Sequence, residues 1–245
     1  DPFTGVQSME TKLGRPTGFS PDGQWLGVSN ARGAGRLKVH LPEECRLFHA
    51  PLGLKQNFTV AFSPDDRFMA GMVQDGLWIW EVASGRRVAH QPLAEQTWVE
   101  FASPRTLFTS GTDGVLLWTN THPADGWTVS GPSVVVPPGD RRLGWAALNA
   151  NQTQLAVRRD AIGEVYDFPS GLLRFKLEGQ RLFNGATFSP DSRWLASGYS
   201  DSAGEPRSEF WIWSAEDGQP VRKLPNGNGG GAFSLDGRWL LVASE

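Results

Sequence analysis

The chain has 245 residues and a formal net charge of −3, enough for one large all-β domain or two small ones and too little positive charge for a nucleic-acid surface. A single cysteine, Cys45, excludes an intrachain disulfide framework, and no apolar run approaches the roughly 18–20 residues of a membrane span. Eleven Trp stand against two Tyr, and glycine and proline punctuate the whole length, a pattern of many short elements.

Asp1-Pro-Phe-Thr-Gly5 shares its frame with Glu81–Gly85 and Asp167–Gly171 further along. Asp1–Leu13 is therefore expected to form a turn and an outermost strand, as though the chain opened inside a repeat unit. Six ten-residue segments then align without gaps. They are Phe19-SPDGQWLG-Val28, Phe62-SPDDRFMA-Gly71, Phe101-ASPRTLFT-Ser110, Leu148-NANQTQLA-Val157, Phe188-SPDSRWLA-Ser197 and Phe233-SLDGRWLL-Val242. Their starts lie 43, 39, 47, 40 and 45 residues apart. This matches the ~40–45 residue period of a four-stranded repeat unit. Each segment predicts a strand, a tight turn and a second strand, the turn built on Pro21-Asp22-Gly23 and its counterparts at Pro64, Pro190 and Leu235, the last without proline's fixed φ.

A third strand follows in most units. Leu77–Trp80 and Phe210–Trp213 are continuous apolar runs, and Val115–Trp118, Val165-Tyr166 and Leu37–His40 stand in the same place. Continuous apolarity means burial on both faces, so the Trp positions are expected as core. Turns ending in Gly85, Gly171 and Gly218 come next, then fourth strands such as Arg86–His90 and Leu172–Leu177. In the first unit Cys45 stands where the others have Gly, and His40 replaces the third-strand Trp. The Pro-rich Gly131–Arg142 stretch and the long Ser200–Glu209 segment read as connections. Phe233–Ser244 is expected as two strands of a final, partial unit.

Motifs for chemistry are missing. There is no His-Glu-x-x-His, Cys-x-x-Cys, Gly-x-Ser-x-Gly or phosphate-binding loop, and the four histidines, His40, His49, His90 and His122, are scattered over several units. Gly227–Ala232 matches a Gly-x-Gly-x-x-Ala phosphate fingerprint, but that fingerprint needs a helix N-terminus and here a strand follows. It is read as a loose crossing between units. No catalytic residue, cofactor or metal is expected.

The Phe-Ser-Pro-Asp-Gly segments and the third-strand Trp resemble the WD40 repeat family over nearly the whole chain. The resemblance implies an all-β fold, a β-propeller of four-stranded antiparallel blades, six- or seven-bladed. The family's Gly-His dipeptide is missing from every unit, and its Trp-Asp pair survives only as Tyr166-Asp167 and Trp80-Glu81. The family's hairpin Asp does appear, at Asp75, Asp113, Asp160 and Asp201. The usual His–Asp tetrad therefore cannot form in its usual way. Propellers similar to TolB and to those of prolyl-oligopeptidase-like enzymes use the same phrase, so those families stay open alternatives.

The resemblance implies a binding scaffold. First-to-second turns are alike among units, whereas second-to-third hairpins and fourth-to-first crossings vary and would form the top face. Variable loops on a rigid frame carry recognition. The candidate contact residues are Arg15, Phe58, Trp98, Asn184 and Arg207. The expected partner is a protein or peptide, or another domain of a longer parent chain, with no nucleic acid and no membrane insertion. The alternative is an accessory or gating propeller of a larger peptidase- or kinase-linked enzyme whose catalytic domain lies outside this chain.

Overall fold

The computed structural model describes residues 15–22, 24–30, 33–38, 45–49, 59–73, 75–93, 96–121, 127–180, 183, 185–198, 209–225, 227–234 and 236–244. Among them every regular element is a strand. The first sheet is β1 (Arg15–Phe19), β2 (Trp25–Asn30), β3 (Gly33–Lys38) and β4 (Cys45–His49). The second is β5 (Thr59–Phe62), β6 (Phe68–Val73), β7 (Gly76–Glu81) and β8 (Arg87–Pro92). The third is β9 (Gln96–Ser103), β10 (Thr106–Gly111), β11 (Gly114–Asn120) and β12 (Val129–Val136). The fourth is β13 (Leu143–Leu148), β14 (Gln154–Arg159), β15 (Ile162–Asp167) and β16 (Leu173–Leu177). The fifth is β17 (Gly185–Phe188), β18 (Trp194–Gly198), β19 (Glu209–Ser214) and β20 (Pro220–Pro225). A hairpin of β21 (Gly227–Phe233) and β22 (Leu240–Ser244) completes the series. Each four-stranded sheet is an antiparallel meander in chain order. The chain divides into two compact units, Asp1–Leu93 with Asn120–Val129, and Ala94–Thr119 with Ser130–Glu245.

All six anchors end or nearly end a first strand, and each pairs with a second-strand apolar residue: Phe19 with Leu26, Phe62 with Met69, Phe101 with Leu107, Leu148 with Leu155, Phe188 with Leu195 and Phe233 with Leu240. The turn between them is held by one repeated set of bonds. The Ser63 hydroxyl donates to Asp65 at 2.6 Å and accepts the Phe68 N–H at 2.9 Å, while Asp65 accepts the Arg67 N–H at 3.3 Å. Ser20 with Asp22, Ser189 with Asp191 and Ser234 with Asp236 repeat it. These serine hydroxyls, and then the backbone N–H groups, hold Asp22, Asp191 and Asp236 below the ordinary carboxylate range. In the fourth sheet Asn149 accepts the Thr153 and Gln154 N–H groups at 2.9 Å each, replacing the serine. The turn needs a left-handed residue four places after the anchor. Gly237 supplies it at φ 69°, but Asp66, Gln152 and Ser192 also adopt it, at 55°, 57° and 59°.

The third strands are core, as their apolarity predicts. Trp80, Trp118 and Trp213 are at most 2% exposed. The strand also carries a second motif. Trp78 pairs across the ladder with His90, and Trp211 with Lys223. Each indole stacks on the buried Trp two residues on, at 6.2 and 5.0 Å between centroids. The same ring also meets His90 at 4.1 Å and Arg87 at 4.4 Å, or Lys223 at 5.0 Å. An acid at the strand start, Asp75 or Glu209, accepts the indole N–H. Such stacks draw on the negative ring face as well as on burial.

Within each unit the first strands lie side by side, β1 by β5, and β9, β13, β17 and β21 in succession. The turns before the fourth strands also lock neighbouring sheets together. Gly85, Gly171 and Gly218 all have φ between 71° and 74°. A Cβ on Gly171 would run into the Val135 carbonyl of β12, and one on Gly218 into the Phe175 ring of β16. Replacing Gly171 by Ala is therefore expected to cost more than about 1 kcal/mol, from the left-handed φ and the backbone collision together. Gly131→Ala, with nothing within 4 Å of the new methyl, should be near neutral. Urea midpoints of the two variants check the contrast.

Four sequence expectations are corrected. In the first sheet Leu26 pairs with Leu37, so Leu37 and not His40 holds the third-strand Trp position; His40 lies outside the described residues. With no Trp to mark the run, its apolar residues align three places late when matched by sequence alone. Cys45 sits in β4 opposite Leu37, as Arg87 sits opposite Trp80, and so is a strand residue and not the turn position. Gly131–Val136 belongs to β12, an edge strand, where Pro132 is tolerated because no ladder bond is needed on the open side. Gly227–Phe233 is also strand. There a Cβ on Gly231 would strike the Phe210 ring, so the missing side chain makes room for close packing against β19. Phe233–Ser244 forms the expected hairpin, and Asp1–Leu13 lies outside the described residues.

Candidate binding face

The end of each sheet opposite the Ser-x-Asp turns carries the second-to-third hairpins and the start of each first strand. Of the five sequence candidates, Phe58, Asn184 and Arg207 lie outside the described residues. Arg15 opens β1, where only its backbone is described. Trp98 lies near the start of β9, paired with Ser110, half-buried. It packs on the core shared by the third and fourth sheets, and its ring sits 6.1 Å from Trp145 on β13. Trp145 in turn meets Phe183 at 5.9 Å. The three rings form a row across the tops of the third and fourth sheets. The backbone beneath is tied down: the Ser110 hydroxyl donates to the Gly144 carbonyl, and the Arg158 guanidinium lies against the bare Gly144 backbone.

Two residues below Trp98, on the same side of β9, is Glu100. A search of the loops for contact residues passes it over, because it lies within a strand. Its carboxyl lies by the backbone N–H of Leu148, which favours the ionised form. That N–H is on the open edge of β13, because Asn149 bonds across to Gln154 and ladder bonds alternate along a strand. Glu100 thus spans the first strands of the third and fourth sheets. Burial pushes its carboxyl up to about 7, against the opposing pull of the Trp98 indole N–H and the Leu148 N–H. The Trp98 N–H is buried and makes no hydrogen bond of good geometry, so its pull on Glu100 is that of a nearby dipole.

Glu164, on β15, shows what a compensated glutamate looks like in the same fold. Burial disfavours its ionisation, but it accepts the Tyr166 hydroxyl, the Arg159 Nε at 2.8 Å and the Lys176 ammonium at 3.3 Å, and ends below the ordinary range. Among the described residues no cation pairs with Glu100 in this way. A polar chain also runs through the fifth sheet. The Trp213 indole donates to Ser197 at 2.8 Å, and Ser197 to the Gln180 carbonyl at 2.6 Å. Gln180 is the acceptor at the end of this chain. Among the described residues no three His, Cys, Asp or Glu side chains cluster as a metal site.

Comparison with known proteins agrees with this geometry. The WD40 family, described as WD domain, G-beta repeat, matches residues 173–203. That stretch covers β16, the Gln180 crossing, β17 and β18. The chain is similar to centriole proteome protein 16 of Chlamydomonas reinhardtii, 36% identical over 81 residues, 30% of this chain and 4% of that protein. The chain thus spans only a small fraction of that relative's length. Among solved structures it is similar to a chain of Kuenenia stuttgartiensis hydrazine synthase, with a TM-score of 0.72 and 15% identity, over 98% of this chain and 76% of that one. At that identity the likeness speaks for the fold alone. The repeated four-stranded antiparallel sheets and the fold likeness show an all-β fold of propeller-type blades, and the stretch 173–203 matches a WD40 repeat.

Proposed function

We propose that the chain is a non-catalytic scaffold that binds a protein or peptide through the top-face connections of its blades. A binding role is typical of WD40 repeats, and the observation that carries the reading here is the contrast between the two ends of each blade. At one end the Ser-x-Asp turn recurs with the same hydrogen bonds in four blades. At the other, the second-to-third connections run from the short turns after Val73 and Gly111 to the ten residues between Gly198 and Glu209. A uniform end is a frame and a varied end is where selectivity resides.

The test compares two variants of the full chain in affinity capture, Arg15→Glu/Arg207→Glu at the top and Asp65→Lys at a turn. The top variant is expected to lose the proteins that the unaltered chain retains, while the turn variant keeps them. Equal capture by all three, or loss with Asp65→Lys alone, overturns the reading.

A further inference from the structure

We propose that Glu100, Trp98 and Trp145 form a receptor for an organic cation, the ammonium or guanidinium head of a lysine or arginine side chain presented by a partner peptide. The proposal deepens the scaffold reading and rests on it. Its first ground is the exceptional residue. The position before the anchor is Gly18, Ala61, Ala147, Thr187 and Ala232 in the other five repeats, and the strand registers make these positions equivalent. A frame that elsewhere takes a small residue here takes a carboxylate.

The second ground is the lack of a counter-charge. A carboxylate set between two strands carries a desolvation cost unless it is paired. Glu164 is paired with two cations, whereas among the described residues Glu100 meets two N–H dipoles and no charge. The residue as a whole is half-buried, not sealed in the core. The third ground is the wall above it. Trp98 flanks the carboxyl on the same strand face, and Trp145 extends that wall with its ring at 57° to Trp98. Indole rings attract a cation, and the adjoining Glu100 carboxyl, ionised by the bound charge, adds an ion pair. One carboxylate beside two indoles suits a soft organic cation on a slender stem and offers too few oxygens for a metal ion.

The probes are butylammonium and butylguanidinium as free cations, and acetylated, amidated Gly-Gly-Lys-Gly-Gly with its norleucine analogue as peptides. The Glu100 carboxyl is followed by carbon NMR through a pH titration of the full chain, assigned by its loss in Glu100→Gln. Saturation with the lysine peptide is expected to lower the Glu100 midpoint by about one pH unit or more, as an opposite charge at contact distance does. Tryptophan fluorescence should report the same binding, weakened at least about tenfold in Glu100→Gln, with no response to the norleucine peptide. Butylammonium binding as well as the peptide would place the source in free cations, and so overturn the peptide part. An unmoved Glu100 midpoint with every probe, or equal binding by Glu100→Gln, overturns the receptor itself. Glu100→Ala, which installs the residue that Ala61, Ala147 and Ala232 hold in other repeats, serves as a second variant. If the probes fail while top-face capture of a partner persists, the receptor falls and the scaffold stands.

Discussion

Trp213→Ala is expected to destabilise the chain by roughly 3–5 kcal/mol, the range for emptying a large buried aromatic site. Trp213 is fully buried in the core shared by the fourth and fifth sheets, among Val165, Leu177, Phe183, Phe188 and Leu195. Three losses add. The indole volume becomes a cavity that strands fixed on both sides cannot collapse into. The stack with Trp211 disappears, which frees one face of a half-buried ring. The bond to Ser197 also goes, leaving a buried hydroxyl that still donates to Gln180 but has lost its own donor. Trp213→Phe separates these effects, since it keeps most of the volume and removes the N–H, and should cost about 1–2 kcal/mol. Trp239→Ala, at a site 73% exposed, should stay within about 0.5 kcal/mol. Urea midpoints at constant slope measure all three. A Trp213→Ala cost no larger than that of Trp239→Ala would contradict the blade packing.

How far the sequence alone reaches depends on how strongly each position is marked. The anchors at Phe19, Phe62 and Phe188 are legible because Phe-Ser-Pro-Asp writes a strand end and a side-chain-bonded turn in consecutive letters, and the spacing carries the assignment to the other three. Trp80, Trp118 and Trp213 are legible because a continuous apolar strand has one meaning in an antiparallel all-β chain. The first unit's register is not, because Leu37 offers no bulk to distinguish it from Val39. Neither is the strand character of Gly227–Phe233. A glycine run signals freedom when seen in sequence, and its role as space for the Phe210 ring exists only once β19 is beside it. The left-handed turn residues Asp66, Gln152 and Ser192 are hidden for a similar reason, since only the ladder on both sides forces them there. At the candidate site, Trp98 is marked by its place before an anchor. Glu100 escapes a search confined to loops, although five small residues against one acid in a single repeat position stand in the sequence itself.

Glu100 is expected to make this fold less stable as pH rises from about 4.5 to about 7, and Glu100→Gln to remove that dependence. The folded carboxyl titrates near 7 and the unfolded one near its ordinary 4.5. Between those values the folded chain holds a proton that the unfolded chain has released, so raising the pH favours unfolding. The contribution is fully present below about 4.5 and lost once the pH passes the folded midpoint. A tenfold difference in proton affinity is worth about 1.4 kcal/mol, which gives up to about 3 kcal/mol here, trimmed to about 2–3 by the water that reaches the half-buried group. Other carboxyls act in the opposite sense. Asp22, Asp191 and Asp236 lie below the ordinary range, so their stabilisation is lost as pH falls. The difference between the unaltered chain and Glu100→Gln cancels those shared effects. At pH 8 the variant should be the more stable by about 2–3 kcal/mol, and near pH 4.5 the two should agree. No charged neighbour contributes to the raised Glu100 midpoint, so the difference should also be nearly insensitive to salt. Urea unfolding at both pH values checks this, and a difference independent of pH would mean that the carboxyl titrates normally in the folded chain. A saturating lysine peptide should shrink the gap at pH 8 for the unaltered chain alone, because a bound ammonium supplies the charge that the strands around Glu100 withhold.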